Sequence, residues 1–288
     1  MTDFFLSTVQ KLAAAKIESP RLEARLLFAE ILGCAPEEIH QDIILTTKQK
    51  EQLEAMLKQR LRHKPLDKIL GHREFYKYDF EVDENVLSPR PDTEILVEQA
   101  LDILQNIHNP KILDLGCGSG CIIETLLKEI QSAFGVAVDI SDKALEVAKR
   151  NADKLELSDR LHFVNASWFC KDFAAKIGKK FDVIVSNPPY IPSADIKTLD
   201  DEVKKYDPLL ALDGGKSGFD SYERIAQIAP ELLENKGFVL LEAGYGQAQK
   251  IADIFANYGF TLLKIANDLS GIKRCVILQK SVAENENS

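Results

Sequence analysis

Paired cysteines, clustered histidines and long apolar runs are all missing from this sequence of 288 residues. Its five cysteines form no CxxC pair and its five histidines are scattered, so we expect neither a disulfide framework nor a metal site. No apolar run reaches the roughly 18 residues of a transmembrane helix, and residues 1–6 carry no basic leader before their apolar side chains. We therefore expect a cytoplasmic protein that makes no membrane contact.

Positive charge is also scarce, since 36 lysines and arginines stand against 45 aspartates and glutamates, for a net charge of −9. A protein that binds a phosphate backbone without sequence preference needs an excess of basic side chains, because its affinity comes from the release of counterions. Residues 1–75 are nearly balanced in charge, with 12 basic and 11 acidic side chains, so a local basic face near the amino terminus remains possible. We expect no stable nucleic-acid partner.

Apolar periodicity divides the chain into two parts. From residue 4 to about residue 70, apolar side chains recur at helical spacing, which predicts a small helical bundle. Between residues 75 and 87 the pattern changes to the alternation of strands, which predicts a short β-hairpin. The expected domains are therefore residues 1–73 and residues 74–288.

The second part has the pattern of an α/β fold. Short apolar runs alternate with helical segments beyond residue 111, which predicts a mostly parallel sheet with helices on both faces. Asp92 or Thr93 is expected to cap the start of a helix that runs through Ile95, Leu96, Val97 and Leu101, and the last eight residues have the composition of a disordered tail. The predicted parallel strands are 112–115, 134–140, 161–164, 181–186 and 238–241, and an antiparallel pair is expected over 260–265 and 274–278.

Three glycines follow the first predicted strand, in the run Asp114-Leu115-Gly116-Cys117-Gly118-Ser119-Gly120. Glycine lets a backbone pass close to a ligand, and free N–H groups at a helix start favour a carboxylate or phosphate. The G-x-G-x-G spacing is one residue shorter than the dinucleotide-binding G-x-G-x-x-G. Asp139, at the tip of the next strand, can accept hydrogen bonds from both hydroxyls of a ribose, and a plain helix cap before Ser141 is the alternative. Together these features indicate a nucleoside ligand.

The run Asn187-Pro188-Pro189-Tyr190 directly follows the predicted strand over 181–186. Proline has no N–H, so this loop presents its carbonyl groups with few competing donors. The side-chain carbonyl of Asn187 and the backbone carbonyl of Pro188 can each accept one hydrogen of an NH₂ group, and Tyr190 offers a flat apolar wall. This pattern predicts methyl transfer to a planar nitrogen, with catalysis by positioning and charge stabilisation. Glutamine, adenine and cytosine all remain possible acceptors.

With these two motifs the chain resembles the protein N5-glutamine methyltransferases of the HemK family over nearly its whole length. The resemblance implies a class I, Rossmann-like methyltransferase domain preceded by a helical domain that docks the substrate protein, with S-adenosyl-L-methionine as cofactor. The acceptor it implies is the side-chain amide nitrogen (N5) of the glutamine in the Gly-Gly-Gln loop of class I peptide chain release factors. Further matching segments are Gly71-His72-Arg73-Glu74-Phe75, Leu87-Ser88-Pro89-Arg90-Pro91-Asp92-Thr93-Glu94, Val138-Asp139-Ile140-Ser141, Ala211-Leu212-Asp213-Gly214-Gly215 and Leu269-Ser270-Gly271 with Arg274.

The resemblance also assigns roles to individual residues. Those expected to contact the cofactor are Gly116, Cys117, Gly118, Ser119, Gly120, Asp139, Trp168 and Asn187. Those expected to bind the glutamine are Asn187, Pro188, Pro189 and Tyr190, and catalysis is expected of Asn187, Pro188 and Tyr190. The chain departs from the family pattern at Cys117, where threonine is frequent, at Ser167, where an aspartate often precedes the tryptophan, and at Asp207, which replaces a glutamate.

Two other functions stay open at this point. An N6-adenine type DNA or RNA methyltransferase shares the planar NH₂ acceptor, but it must take a base out of its stack and hold a charged backbone. The acidic second part of the chain counts against that function. A cofactor-binding scaffold without catalysis is the other alternative, and the intact Asn187-Pro188-Pro189-Tyr190 run counts against it. For Trp168, ordinary packing is the alternative to an adenine contact.

Overall fold

The structure is a computed structural model that describes residues 4–40 and 43–281. The chain divides into two compact units, Met1–His72 with Asp200–Tyr206, and Arg73–Leu199 with Asp207–Ser288. The expected domain boundary at residue 73 stays a prediction. Of the last eight residues only Ser281 is described, so the predicted disordered tail lies outside the described residues. No helix in the described ranges is long and apolar enough to cross a membrane.

The secondary structure follows the predicted order of helices, hairpin and alternating strands. In chain order the helices are α1 (Phe4–Ala14), α2 (Pro20–Leu32), α3 (Thr47–Arg60), α4 (Leu66–Leu70), α5 (Glu94–Leu104), α6 (Cys121–Glu129), α7 (Asp142–Lys154), α8 (Phe173–Ile177), α9 (Asp201–Tyr206), α10 (Leu209–Leu212), α11 (Asp220–Leu232) and α12 (Ala248–Ala256). The strands are β1 (His72–Phe75), β2 (Tyr78–Glu81), β3 (Lys111–Leu115), β4 (Phe134–Asp139), β5 (Leu161–Asn165), β6 (Phe181–Ser186), β7 (Leu233–Glu242), β8 (Phe260–Asn267) and β9 (Lys273–Lys280).

The helical unit packs α1 to α4 around its own apolar core. Phe5 and Phe28 meet edge to face in this core, with ring centroids 5.5 Å apart. The buried Arg60 of α3 donates from Nε to Glu23 Oε2 at 2.6 Å and from Nη1 to Glu202 Oε1 at 2.7 Å. Because Glu202 lies on α9, this pair of ion contacts fixes a late segment of the chain to the helical unit.

The β-hairpin lies earlier than the sequence predicts. The expected position was 75–87, whereas the two strands are β1 and β2, joined at Tyr76 and Lys77. Tyr76 has a φ of 62° and donates its backbone N–H to Glu94 Oε1 at 2.8 Å. Tyrosine is not a residue that usually indicates a tight turn with positive φ, so the local sequence did not indicate this turn.

The second unit contains a seven-stranded sheet of order β5-β4-β3-β6-β7-β9-β8. Strands β3 to β7 pair in parallel, and β9 pairs antiparallel with both β7 and β8. Side chains that alternate along β3 and β6 enter two separate cores, one with α5, α6 and α7, the other with α8, α11 and α12. The predicted mostly parallel sheet with helices on both faces, the class I Rossmann-like fold, is therefore confirmed.

Strand order places two loops side by side. The chain leaves β3 toward β4 on one side, and it leaves β6 toward β7 on the other, while β3 and β6 themselves are neighbours. The carboxyl ends of parallel strands at such a reversal open a crevice in which ligands of α/β proteins bind. The loops after β3 and β6 therefore border one crevice.

Candidate active site

The glycine loop, residues 116–120, is folded back onto the end of β4. The N–H groups of Gly116 and Cys117 donate to the carbonyl of Val138 at 2.8 and 3.0 Å, and that of Gly118 donates to Asp139 Oδ2 at 3.0 Å. The expectation of free N–H groups for an anion is therefore wrong for these three residues, because the loop uses them to hold its own shape. What the loop offers a ligand is close approach to its backbone.

Asp139 ends β4 with its carboxylate in the crevice. Its Oδ2 accepts from Gly118 as above, and its Oδ1 accepts from the N–H of Ser141 at 2.9 Å. Ser141 itself caps α7 by accepting from Ala144 N–H at 3.2 Å, so the plain cap is Ser141 rather than Asp139. Burial raises the pKa of Asp139, while backbone N–H donors, those of Ser141 and Gly118 first and that of Ile140 third, favour its ionised form. The carboxylate as a whole keeps acceptor capacity for a further donor.

Trp168 lies against the glycine loop. A Cβ at Gly116, whose φ is 78°, would stand 3.2 Å from the Cη2 atom of the indole ring, so only glycine lets the two approach this closely. Trp168 is 7 % exposed and belongs to the core that contains Leu115 and Val138. Among the described residues none accepts a hydrogen bond from its indole N–H. Trp168 therefore packs in the core and also lines the crevice, with its indole N–H buried.

Two buried carboxyl groups lie near the glycine loop, and the sequence did not indicate a role for either. Burial, with the charge of Asp139 as the second cause, raises the pKa of Asp114 to about 8. Burial also raises the pKa of Glu124, and within the described part of the chain neither of its oxygens has a hydrogen-bond partner. A Cβ at Gly120 would stand 2.0 Å from Glu124 Oε1. The space that a side chain at residue 120 would need is filled by this carboxyl group.

The proline loop, residues 187–190, directly follows β6. Ser186 donates its hydroxyl to the carbonyl of Leu115 at 2.6 Å, which ties the start of this loop to the end of β3. At its other end the carbonyl of Tyr190 accepts from Gln247 Nε2 at 3.0 Å. Pro188 is buried, and burial raises the pKa of the Tyr190 hydroxyl to about 12. The start of the loop is therefore fixed by the side chain directly before it, and its far end by a side chain 57 residues away.

Thr93 does not cap α5 as the sequence predicts. It ends a single 3₁₀ turn, Pro91–Thr93, and its side chain makes no capping hydrogen bond. Its hydroxyl instead donates to Glu242 Oε2 at 2.5 Å and accepts from Asn187 Nδ2 at 3.3 Å. A threonine before a helix fits a cap in the local sequence, and only the folded chain shows that this hydroxyl has a buried carboxylate as its partner.

The crevice between the two loops is a cleft with a cavity volume of about 130 Å³. Arg90, at its edge, makes an ion pair with the buried Asp207 at 3.0 Å. The predicted site residues that line it are Gly116, Cys117, Gly118, Ser119, Asp139, Trp168, Asn187 and Pro189. Gly120, Pro188 and Tyr190 lie outside this lining, and further lining residues are Ser88, Pro89, Arg90, Thr93, Pro208 and Leu210. Over residues 4–40 and 43–281 no cluster of three or more His, Cys, Asp and Glu side chains can hold a metal ion.

Comparison with known proteins finds the same two parts of the chain. Residues 91–203 match the family "Methyltransferase small domain" and residues 6–71 match the family "PrmC N-terminal domain". A release factor glutamine methyltransferase from Rhodospirillum rubrum is 42% identical over 275 residues, 95% of this chain and 83% of that protein. Another from Agrobacterium fabrum is 39% identical over 277 residues, 94% of each chain. A solved methyltransferase from Pyrococcus furiosus shares the fold, with a TM-score of 0.51 at 15% identity over 82% of this chain and 100% of that one.

Proposed function

The chain belongs to the release factor glutamine methyltransferase family, and on that premise we propose that it methylates the glutamine in the Gly-Gly-Gln loop of class I peptide chain release factors. The methyl donor is S-adenosylmethionine, the general cofactor of methyltransferases of this kind. The products are a glutamine whose side-chain amide nitrogen, N5, carries one methyl group in place of a hydrogen, together with S-adenosylhomocysteine and a proton. We place this reaction in the cytoplasm, with neither a membrane nor a stably bound nucleic acid as partner.

The observation that carries this proposal is the placement of Asn187 and the glycine loop on the same cleft. Asn187 stands at the carboxyl end of β6 and Gly116 at that of the neighbouring β3. A nitrogen held by Asn187 would therefore face a cofactor held by the glycine loop. This is the arrangement that methyl transfer needs, because the reaction gains most from fixing the two reacting groups in line.

The residues of the cleft fit the proposed cofactor. The carboxylate of Asp139 has acceptor capacity left for a ribose hydroxyl, Trp168 lines the same cleft, and the bare backbone at Gly116 permits close contact. S-adenosylmethionine supplies an electrophilic methyl group on a sulfonium. Ser167 provides no carboxylate for an adenine amino group, so we assign adenine binding to packing near Trp168 instead.

The acceptor amide is oriented by acceptor groups of the proline loop. In our proposal the side-chain carbonyl of Asn187 and the backbone carbonyl of Pro188 each accept one hydrogen of the glutamine NH₂ group. Both hydrogen bonds strengthen as the nitrogen gains the methyl group and becomes acidic, so they stabilise the charge that develops during transfer. Tyr190 contributes by fixing the loop. No strong base is needed to remove a proton before the methyl group arrives.

The helical unit is the proposed docking module for the release factor. Its residues 6–71 match the family "PrmC N-terminal domain". Residues 1–75 carry no clear excess of basic side chains, with 12 basic and 11 acidic, and a nucleic-acid backbone would require such an excess, so we favour a protein partner.

The decisive experiment is transfer of a labelled methyl group to purified substrates. We expect label on a recombinant class I release factor, a mass gain of one methyl group on its loop glutamine, and no label on a release factor in which that glutamine is replaced. Duplex DNA and RNA serve as parallel substrates. Label on nucleic acid alone would contradict the proposal and would favour an adenine methyltransferase.

A further inference from the structure

A buried chain of hydrogen bonds connects β7 to the proline loop through Thr93. Glu242, at the end of β7, is 3 % exposed and Thr93 is equally buried. The Thr93 hydroxyl lies 2.5 Å from Glu242 Oε2 on one side and 3.3 Å from Asn187 Nδ2 on the other. Three segments that are far apart in the sequence thus meet at one hydroxyl group.

The direction of each hydrogen bond in this chain follows from the chemistry of the partners. An ionised carboxylate can only accept, so the single hydrogen of the Thr93 hydroxyl points to Glu242. The Thr93 oxygen is then left as an acceptor toward Asn187, and it can be satisfied only by the NH₂ end of that side-chain amide. Asn187 also acts to lower the pKa of the Glu242 carboxyl group. The contact with Thr93 draws the nitrogen end of Asn187 inward and leaves its Oδ1 to face another group.

We propose that Glu242 is a positioning residue for methyl transfer, which acts through Thr93 to hold the Asn187 amide with its oxygen presented to the acceptor nitrogen. The inference rests on the proposed function of Asn187 as the acceptor of a substrate N–H. If the amide were turned over, its NH₂ group would meet the NH₂ group of the substrate, and two donors would face each other.

The protonation state of Glu242 decides whether its carboxyl group can hold Asn187 in this orientation. Burial raises the pKa of Glu242 to about 7, while Thr93, Arg274 and Asn187 favour its anion. A protonated Glu242 can donate to Thr93, which frees the threonine hydrogen to turn toward Asn187 and removes the preference for one amide orientation. We therefore expect kcat to fall as pH drops below about 7. The charged and titratable groups that face Glu242 are Arg274 and Cys275 of β9, Asp92 of the 3₁₀ turn, Tyr190 of the proline loop, Tyr222 of α11 and Cys121 of α6.

Three substitutions test the chain of hydrogen bonds. Thr93→Val removes the hydroxyl with little change of shape and should lower kcat by about 10- to 100-fold, with cofactor affinity changed by less than about twofold. Thr93→Ser restores the hydroxyl and should recover most of kcat. Glu242→Gln offers a donor as well as an acceptor, so its kcat should be low and nearly flat between about pH 6 and pH 8, where the wild type rises. Thr125→Val is the matched control, since the Thr125 hydroxyl is buried with no partner among the described residues.

A measurement without substrate separates this inference from the proposed function. In ¹⁵N-labelled protein, the side-chain amide signal of Asn187 is identified by its loss in Asn187→Asp. Its hydrogens should exchange slowly with solvent in wild type, Thr93→Ser and Thr125→Val, and faster in Thr93→Val. Wild-type exchange together with wild-type kcat in Thr93→Val would overturn the positioning role. Absence of methyl transfer by the wild type would instead refute the proposed substrate, while the exchange rates still decide the orientation of Asn187.

Discussion

The glycine loop and the proline loop occupy equivalent places at the ends of adjacent strands, yet they are held by different means. Residues 116–118 of the glycine loop donate backbone N–H groups to β4, a neighbour in both sequence and space. The proline loop is held by the side chains of Thr93 and Gln247, which lie 94 and 57 residues away from their partners in the loop. The glycine loop is therefore a local structure, whereas the proline loop depends on the assembled unit.

This difference predicts which substitutions act on the whole unit and which act on chemistry alone. Changes in the glycine loop should alter stability and cofactor affinity together. Changes at Asn187 and at its support Thr93 should alter turnover while the fold and cofactor affinity stay nearly intact.

The largest effect is expected for Asn187→Ala. This substitution removes the proposed acceptor for the substrate amide, and kcat should fall by about 100- to 1000-fold. The dissociation constant of S-adenosylmethionine, measured by calorimetry, should change little. Asn106→Ala, at an exposed residue, is the control. Turnover unchanged from wild type would mean that Asn187 does not orient the substrate.

Gly120→Ala should be the most damaging change in the glycine loop. Gly120 has a φ of 85°, and its new Cβ would collide with the buried Glu124 carboxyl group. We expect a loss of about 3 kcal/mol in the free energy of unfolding and weaker cofactor binding. Gly259→Ala is the matched control, because Gly259 has a φ of 79° with nothing within 4 Å of the added Cβ, and it should cost about 1 kcal/mol. Equal losses in the two variants would show that Glu124 moves aside.

Asp114 should make the stability of the same unit depend on pH. Its pKa is about 8 in the folded chain, against an ordinary value of 3.8, so between these values the unfolded chain binds fewer protons. The stabilisation that protonated Asp114 contributes to the folded unit is therefore complete below about pH 4 and is lost as pH rises toward 8. Asp114→Asn should therefore be more stable than wild type at pH 8.5, by about 2 kcal/mol, and not at pH 5.

Urea unfolding followed by Trp168 fluorescence measures this difference, since Trp168 is the only tryptophan and reports on the unit that contains Asp114. Asp159→Asn, at an exposed aspartate, is the control and should show no such change between the two pH values. A wild-type stability that rises from pH 5 to pH 8.5 relative to Asp114→Asn would contradict the assignment.

The same contrast explains how far the sequence could predict the site. The glycine run and the proline run each follow an apolar strand, so their places at the sheet edge could be read locally. The support of the proline loop could not, because Thr93 and Glu242 are 149 residues apart and Thr93 has the local pattern of a helix cap. The position of β9 between β7 and β8 could not be predicted from the sequence either. Two antiparallel strands with a short connection do not specify which of them pairs with the rest of the sheet.

The smallest effect is expected at Gln247, the support of the proline loop at its far end. Gln247 donates from Nε2 to the Tyr190 carbonyl and accepts from Gly244 N–H at 3.1 Å. Gln247→Glu keeps the size and the second contact but sets a carboxylate oxygen against the carbonyl of Tyr190. We expect about 1 kcal/mol of lost stability and a KM for the release factor raised about threefold, with Gln227→Glu at an exposed residue as control. Because Asn187 is held separately by Thr93, kcat should stay near the wild-type value. A fall in kcat as large as that of Thr93→Val would mean that the proline loop moves as one piece and that its two supports are not independent.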